Sequence, residues 1–248
     1  MGKYLKVFNN HSQYEAFTAT TDFIRPNVSF CKGVPKEVHY NPIVATILVA
    51  KYNITSTSSP TQISYNGYYG DGTSGFSEIE IDGTKLPNVV SSYTFNTIGE
   101  HTVKYTLKEP TKIGKCAFDG CSKMTSISIP NNITIIGAFA FGSCTNLTSI
   151  DIPSGVTIIE NSTFGYCENL TSITIPSGVT SIGSSAFERC RGLNNITINA
   201  TTPPTLINTD AFDYTNNCVI YVPSESVQAF KTANKWNSLA SRIEAIPN

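Results

Sequence analysis

A repeat of 23 residues runs through the second half of the chain. Five sets of apolar residues recur at this interval, in the same order within every unit: Phe118, Phe141, Phe164 and Phe187; Cys121, Cys144, Cys167 and Cys190; Met124, Leu147, Leu170 and Leu193; Ile127, Ile150, Ile173 and Ile196; and Ile129, Ile152, Ile175 and Ile198. Self-similarity at a fixed period of this size is typical of proteins that stack one supersecondary unit on the next. The feature therefore predicts a repeat architecture.

Each repeat begins with a segment of the form L-x-x-I-x-I-P. The alternating isoleucines predict a short strand whose apolar side chains point to one face. Pro130, Pro153 and Pro176 follow three of these strands and end them, because proline cannot donate a ladder hydrogen bond. The second half of the unit, such as VTSIGSSAF, supplies the opposite wall of the core. Because one unit cannot bury its apolar face alone, we expect the units to stack into a solenoid.

The full unit, I-x-x-I-x-I-P-x-x-V-T-x-I-G-x-x-A-F-x-x-C-x-x-L, resembles the BspA-type bacterial leucine-rich repeats over about residues 110 to 223. The resemblance implies a leucine-rich-repeat solenoid, which we place at residues 109–223, and a surface or secreted adhesion role. The first repeat departs from the pattern at Lys115, Cys116 and Met124, and the third at Glu160 and Thr163.

The region 42–108 lacks the repeat and predicts a small β-sandwich. Alternating runs such as SEIEIDG and HTVKYTL are separated by turn residues, the pattern of short antiparallel strands. The segment YTFNTIGEHTVKYTL resembles the closing strands of immunoglobulin-like modules that precede such repeats in gut Bacteroidales proteins. The resemblance implies an immunoglobulin-like domain.

The two ends of the chain lack the repeat and predict different structures. Residues 1–41 predict a small α/β module, with strands YLKVF and NVSFC and a helix that begins at the capping box Ser12–Glu15. This segment resembles an N-terminal module on repeat proteins of gut Bacteroidales and their phages. Residues 224–248 carry apolar residues at helical spacing and predict a short helical cap, in which Trp236 is a core residue.

The recurring cysteines are compatible with a metal site, disulfides or simple packing. Equivalent residues of stacked strands lie about 4.8 Å apart, so four of them span too great a length for one zinc ion. Their parallel side chains also keep the Cβ atoms beyond the usual disulfide separation. We therefore expect a buried, inert column. Cys31, Cys116 and Cys218 lie off this column, and the total of seven cysteines leaves one without an intrachain partner.

The sequence gives no indication of catalysis, of nucleic-acid binding or of a membrane span. The three histidines have no metal-ligand spacing, and no hydrolase, zinc-protease or phosphate-loop motif is present. A net charge of −1 with 14% charged residues argues against nucleic acid. The longest apolar run, IVATILVA at residues 43–50, is too short for a membrane span. We expect no enzyme activity, cofactor or metal, and no leader is visible.

Two sets of residues are candidates for binding. The first comprises the outward strand positions, which are small, polar and nearly uncharged: Ser126, Ser149, Ser172, Asn195, Ser128, Asp151, Thr174 and Thr197. The second is the aromatic, glycine-rich loop with Tyr68 and Tyr69, flanked by Tyr65 and Phe76, whose rings would stack on a sugar. The alternatives are a solvated strand face and aromatic residues that fold onto the sandwich.

The leading hypothesis is a non-enzymatic adhesion protein that presents its repeats to a host or bacterial surface protein or glycan. It would act outside the cell or at its surface. The alternative is a structural, virion-associated component of a phage or prophage appendage, to which residues 1–41 would dock. The sequence leaves the ligand and the oligomeric state open.

Overall fold

The computed structural model describes residues 45–65 and 75–247, together with the backbone of the strands Tyr4–Phe8 and Lys36–Tyr40. The chain divides into two compact units, Met1–Ala45 and Thr46–Asn248. In the first unit, β1 (Tyr4–Phe8), the predicted YLKVF strand, pairs antiparallel with β2 (Lys36–Tyr40). The predicted strand NVSFC and the predicted helix at Ser12–Glu15 lie outside the described residues.

The described part of the second unit is mainly β, with short helical segments. Its strands are β3 (Ile47–Ile54), β4 (Thr61–Gln62), β5 (Phe76–Ile81), β6 (Thr84–Lys85), β7 (Ser92–Tyr93), β8 (Gly99–Leu107), β9 (Lys112–Ile113), β10 (Met124–Ser128), β11 (Ile135–Ile136), β12 (Ser149–Ile150), β13 (Ile158–Ile159), β14 (Ser172–Ile175), β15 (Ser181–Ile182), β16 (Asn195–Ile198), β17 (Thr205–Leu206), β18 (Val219–Val222) and β19 (Ile243–Ala245). The helical segments are α1 (Val227–Thr232) and the 3₁₀ turns Thr209–Phe212, Ser224–Ser226 and Trp236–Arg242.

A six-stranded sheet of order β12-β10-β3-β8-β5-β6 joins residues 46–108 to the repeats. Strand β3 alternates buried and exposed side chains and pairs antiparallel with β8 along its whole length. On its other side β3 pairs antiparallel with β10, with Val49 opposite Ser128. Strand β10 then pairs parallel with β12. The antiparallel sheet thereby occupies the edge that the first repeat would otherwise leave unpaired.

A pair of buried tyrosines connects this sheet to Ile63, which directly follows β4. The Tyr105 hydroxyl donates a hydrogen bond of 2.6 Å to the carbonyl oxygen of Ile63, and the Tyr52 hydroxyl lies 2.9 Å from that of Tyr105. Burial raises the pKa of both phenols well above the usual value. Both therefore stay neutral and hydrogen-bonded inside the core.

The repeats stack with parallel strands, and equivalent residues lie directly opposite one another. Ile173 of β14 pairs with Ile196 of β16, and β16 continues to β18 and β19. A second wall consists of two-residue strands, in which Ile159 of β13 pairs with Ile182 of β15. The predicted 23-residue register is confirmed by these pairs. The short second-wall strands are an addition to the predicted strands.

A continuous stack of aromatic rings runs through the core of the second unit. The rings of Phe118, Phe141, Phe164, Phe187 and Phe212 follow one another with centroid separations of 5.4, 5.7, 5.5 and 5.5 Å and nearly parallel planes. At one end, Phe118 contacts Tyr105 and Phe76, with centroids 5.0 and 5.3 Å away. At the other end, Phe212 contacts Trp236. The stack thus links the six-stranded sheet, the repeats and the C-terminal segment into one core.

The C-terminal segment closes the last repeat with a helix and a strand. Trp236 is buried, packs edge-on against Phe230, and donates a hydrogen bond of 2.7 Å from Nε1 to the carbonyl oxygen of Pro204. The interpretation of Trp236 as a core residue is confirmed. Strand β19 differs from the helical expectation for this segment, because Ile243 pairs with Ile220 and prolongs the parallel sheet. Pairing with β18 outweighs the local helical pattern of the sequence.

Candidate binding surfaces

The predicted strand-face residues lie on the outer side of the repeats. Ser128, Ser149, Asp151, Ser172 and Thr174 are exposed, and Ser126, Asn195 and Thr197 are half-buried. Ser126 lies opposite Ser149, Ser172 opposite Asn195, and Thr174 opposite Thr197. We call these eight residues the strand face; the pairings join its members within β10–β12 and within β14–β16.

The strand face continues onto β3 and β8 of the six-stranded sheet. Ser126 lies opposite Lys51, which lies opposite Thr102 on β8. Lys51 Nζ is 2.9 Å from Glu100 Oε1. Lys104, which also lies on β8 and is opposite Val49, has its Nζ 2.7 Å from Glu80 Oε1. The small, nearly uncharged residues of the strand face thus pass into a charged region whose ion pairs are partly exposed.

Hydrogen bonds between neighbouring repeats hold the edge of the strand face. The Thr148 hydroxyl donates to the carbonyl oxygen of Thr125 at 3.3 Å, and Thr171 donates to Thr148 at the same distance. In the next turn, Asn169 Nδ2 donates to Asn146 Oδ1 at 3.2 Å. Each of these bonds joins residues 23 positions apart, so the contacts follow the register of the core.

The cysteine column is buried, as predicted, and three of its four thiols have a backbone partner from the preceding repeat. The thiols of Cys144, Cys167 and Cys190 donate to the carbonyl oxygens of Phe118, Phe141 and Phe164 at 3.2, 3.1 and 3.0 Å. Burial raises the thiol pKa along the whole column, to about 12 for Cys121 and Cys190. The six described cysteines are free thiols, and residues 45–65 and 75–247 contain no cluster of ligands for a metal ion.

The aromatic loop candidate is described only at its flanks. Tyr68 and Tyr69 lie outside the described residues. Phe76 is buried, with its ring centroid 4.9 Å from that of Tyr105, so it belongs to the core rather than to a binding surface. Tyr65 is half-buried.

A ladder of two tyrosines and an arginine forms an exposed surface feature that the sequence analysis did not single out. Arg189 Cζ lies 5.2 Å from the ring centroid of Tyr166 and 5.1 Å from that of Tyr214. The Tyr166 and Tyr214 residues remain 42% and 63% exposed. Tyr166 and Arg189 each directly precede a column cysteine, so the same 23-residue spacing could have revealed this pair. Tyr214 sits in the less regular last repeat, where the spacing changes.

His101 and Asp82 form a polar contact near the turn between β5 and β6. His101 Nδ1 lies 2.6 Å from Asp82 Oδ2, and Nε2 lies 3.0 Å from the carbonyl oxygen of Thr97. Partial burial raises the pKa of Asp82, but the hydrogen bonds from His101 and from the Thr102 N–H outweigh it, so the net pKa lies below 3.8. Both ring nitrogens are engaged within the fold, and this contact anchors the turn.

The described helices include none that is long and apolar enough to cross a membrane.

The solved structures that are similar to part of the chain include two leucine-rich proteins. One is a leucine-rich cell surface protein from Faecalibacterium prausnitzii, with 29% identity over 53% of this chain and 32% of its own, and a TM-score of 0.42. The other is a leucine-rich repeat protein from Bacteroides ovatus, with 36% identity over 55% of this chain and 32% of its own, and the same TM-score of 0.42. The chain therefore spans about a third of the length of these structures. A search of curated proteins gives no match.

The repeats match a family model over more than half of the chain. Six copies of the BspA type leucine rich repeat region cover residues 88–219. The match begins upstream of residue 110, where the sequence analysis placed the start of the resemblance. The chain belongs to the BspA-type leucine-rich repeat proteins.

Proposed function

We propose that the chain is a non-enzymatic binding and adhesion protein whose repeats present the strand face to a surface protein or glycan of a host or of a bacterium. The observation that carries the proposal is the strand face itself. It is a regular array of small polar side chains on parallel strands, with Ser172 opposite Asn195 and Thr174 opposite Thr197. Stacked repeats offer extended surfaces of this kind to partners.

Chemistry of the side chains supports binding rather than catalysis. The buried cysteine thiols have a raised pKa, which makes them poor nucleophiles. His101 has both ring nitrogens within reach of acceptors in the fold. We therefore assign no catalytic residue, cofactor or metal.

The finer architecture is part of the proposal. We infer that the stacked repeats form a solenoid at residues 109–223, that residues 42–108 act as an immunoglobulin-like spacer, and that residues 224–248 cap the open end. The pairing of β10 with β3 supports a firm connection between spacer and repeats. The resemblance of these modules supports an extracellular or cell-surface location in a gut Bacteroidales-like bacterium.

The proposal can be tested with a variant of the strand face and a matched control. Purified full-length protein is screened against glycans and host matrix proteins. Ser172→Lys with Thr174→Lys adds two charges to the exposed strand face, and Thr157→Lys with Thr180→Lys adds the same charges to exposed positions beside the second wall. We expect the first variant alone to lose binding by about tenfold or more, because each buried unpaired charge costs desolvation energy. Equal binding of both variants contradicts the strand-face assignment.

A structural role in a phage or prophage appendage remains the second candidate. It rests on the resemblance of residues 1–41 to a module found on repeat proteins of phages. The genomic neighbourhood separates the two candidates: flanking tail or capsid genes favour the appendage, whereas an encoded leader and lipid-attachment site upstream of Lys3 favour the surface protein.

A further inference from the structure

We propose that the Tyr166–Arg189–Tyr214 ladder binds the neutral pyranose rings of a glycan. The inference rests on the proposed binding function and names a glycan as the partner class, at a place distinct from the strand face. The faces of exposed aromatic rings attract the partly positive C–H groups of a sugar in the same way that they attract ring edges. Two such rings, separated by one guanidinium, give a glycan two stacking positions.

The backbone holds the ladder in a defined geometry. Tyr166, Arg189 and Tyr214 all have a left-handed backbone, with φ of 62°, 60° and 57°. The N–H groups of Tyr166 and Arg189 donate to the carbonyl oxygens of Glu188 and Asp213 in the next repeat, at 2.7 and 2.8 Å. The guanidinium between the rings adds cation–π attraction to both. A surface that is already ordered loses less entropy when a ligand binds.

The ladder stops abruptly on the side of the second repeat. The position equivalent to Tyr166 is Ser143 in that repeat and Gly120 in the first, both also with positive φ. Apart from Arg189, the described residues provide no ring or cation partner for Tyr166. Rings in neighbouring repeats of this protein are spaced 5.4–5.7 Å apart. A pyranose ring that stacks its C–H face on Tyr166 at about this spacing would therefore lie over Ser143.

The surroundings favour a sugar over a protein partner. Polar groups occupy the turn that follows Tyr166, where Glu168 is exposed and Asn169 donates to Asn146. Planar amides and carboxylates can exchange hydrogen bonds with sugar hydroxyls. A protein hot spot needs a desolvated pocket surrounded by further contacts, but Asp213, Asn216 and Asn217 beside Tyr214 are exposed polar residues. The ladder is thus suited to a narrow ligand with many hydroxyls.

The test uses full-length protein and an array of neutral glucose, galactose and mannose oligosaccharides, with hits measured by calorimetry. We expect at least one oligosaccharide to bind, and Tyr166→Ala and Tyr214→Ala each to weaken it by about tenfold. Tyr166→Phe keeps the ring and is expected to bind within about twofold of the parent. Ser143→Trp is expected to compete with the ligand for the face of Tyr166. Circular dichroism and melting curves verify that all variants are folded.

The outcomes separate this inference from the proposed function. If no oligosaccharide of the array binds, or if the tyrosine variants bind as well as the parent, the ladder is not a glycan site. If Ser172→Lys with Thr174→Lys abolishes binding and Tyr166→Ala does not, the inference is wrong and the strand-face function stands. If the tyrosine variants instead lose a protein partner, the ladder is a protein-binding site and the glycan assignment is overturned.

Discussion

The thiol of Cys167 donates a hydrogen bond of 3.1 Å to the carbonyl oxygen of Phe141 in the preceding repeat. The same bond joins Cys144 to Phe118 and Cys190 to Phe164. Cysteine therefore contributes a compact side chain and a weak donor at a position where a backbone oxygen faces the core. The cysteine column, which the sequence predicts to be buried and inert, thus has a structural role.

The column cysteines should resist alkylation in the folded protein. Burial raises their pKa, to about 12 for Cys190, so very little thiolate exists at pH 8, and the thiolate is the reactive form. Iodoacetamide labelling followed by peptide mapping should leave Cys121, Cys144, Cys167 and Cys190 unmodified in buffer and modify all four in concentrated urea. Rapid labelling of any of them in buffer contradicts this structural role.

Truncation of a ring in the aromatic stack should destabilise the protein strongly. Phe164 lies between Phe141 and Phe187 and is completely buried. Phe164→Ala should lower the free energy of unfolding by about 3–5 kcal/mol, because it leaves a cavity in a close-packed core. Urea denaturation followed by circular dichroism measures the change.

The control for this prediction is Ile158, which is 45% exposed in the same repeat. Ile158→Ala should raise or lower the free energy of unfolding by no more than about 0.5 kcal/mol, as surface substitutions generally do. Similar losses for both variants would mean that the ring stack is not the main source of stability.

The sequence predicts the repeated core well, because every unit places the same residue in the same environment. Phe141, Cys144 and Leu147 recur in register, and the structure buries each of them. The junction between residues 46–108 and the repeats could not be predicted in this way. The pairing of Ser128 with Val49 joins segments far apart in the chain, and β-strand alternation alone does not select a partner. The Tyr166–Arg189–Tyr214 ladder was missed for a related reason, since an exposed position carries no apolar periodicity.

The contact between Asp82 and His101 should make stability depend on pH in the acidic range. The pKa of Asp82 is lowered by folding, so its contribution is complete above the ordinary value of 3.8 and disappears as the pH falls through the folded-state pKa. Asp82→Asn should therefore lower the urea midpoint at pH 5.5 and have a smaller effect near pH 2.5. Asparagine suits the positive φ of 48° at this position, so the change tests the charge rather than the turn.

The control for the pH experiment is Glu109→Gln. Glu109 pairs with Lys112 at 3.2 Å on the surface, where ion pairs contribute little, so this variant should follow the parent at every pH. An Asp82→Asn effect that is equal at both pH values contradicts the assigned role of the carboxylate.

Arg242 should hold the C-terminal strand on the last repeat. Its Nε donates to the carbonyl oxygen of Cys218 at 2.9 Å, and its Nη2 donates to Thr215 Oγ1 at 2.8 Å. Arg242→Ala removes these two bonds and a third, from Nη2 to Cys218 Sγ at 3.0 Å. It leaves the buried Thr215 hydroxyl with one partner fewer, at a cost of about 1–3 kcal/mol. Since β19 pairs only with β18 among the described strands, we expect the loss to be local. Amide hydrogen exchange should accelerate at Ile243–Ala245 and stay unchanged in β3 and β8.

Arg191→Ala, at an exposed position, is the matched control for Arg242→Ala and should leave exchange in β19 unaltered. Uniform acceleration across the whole unit would instead indicate that the C-terminal segment unfolds together with the repeats.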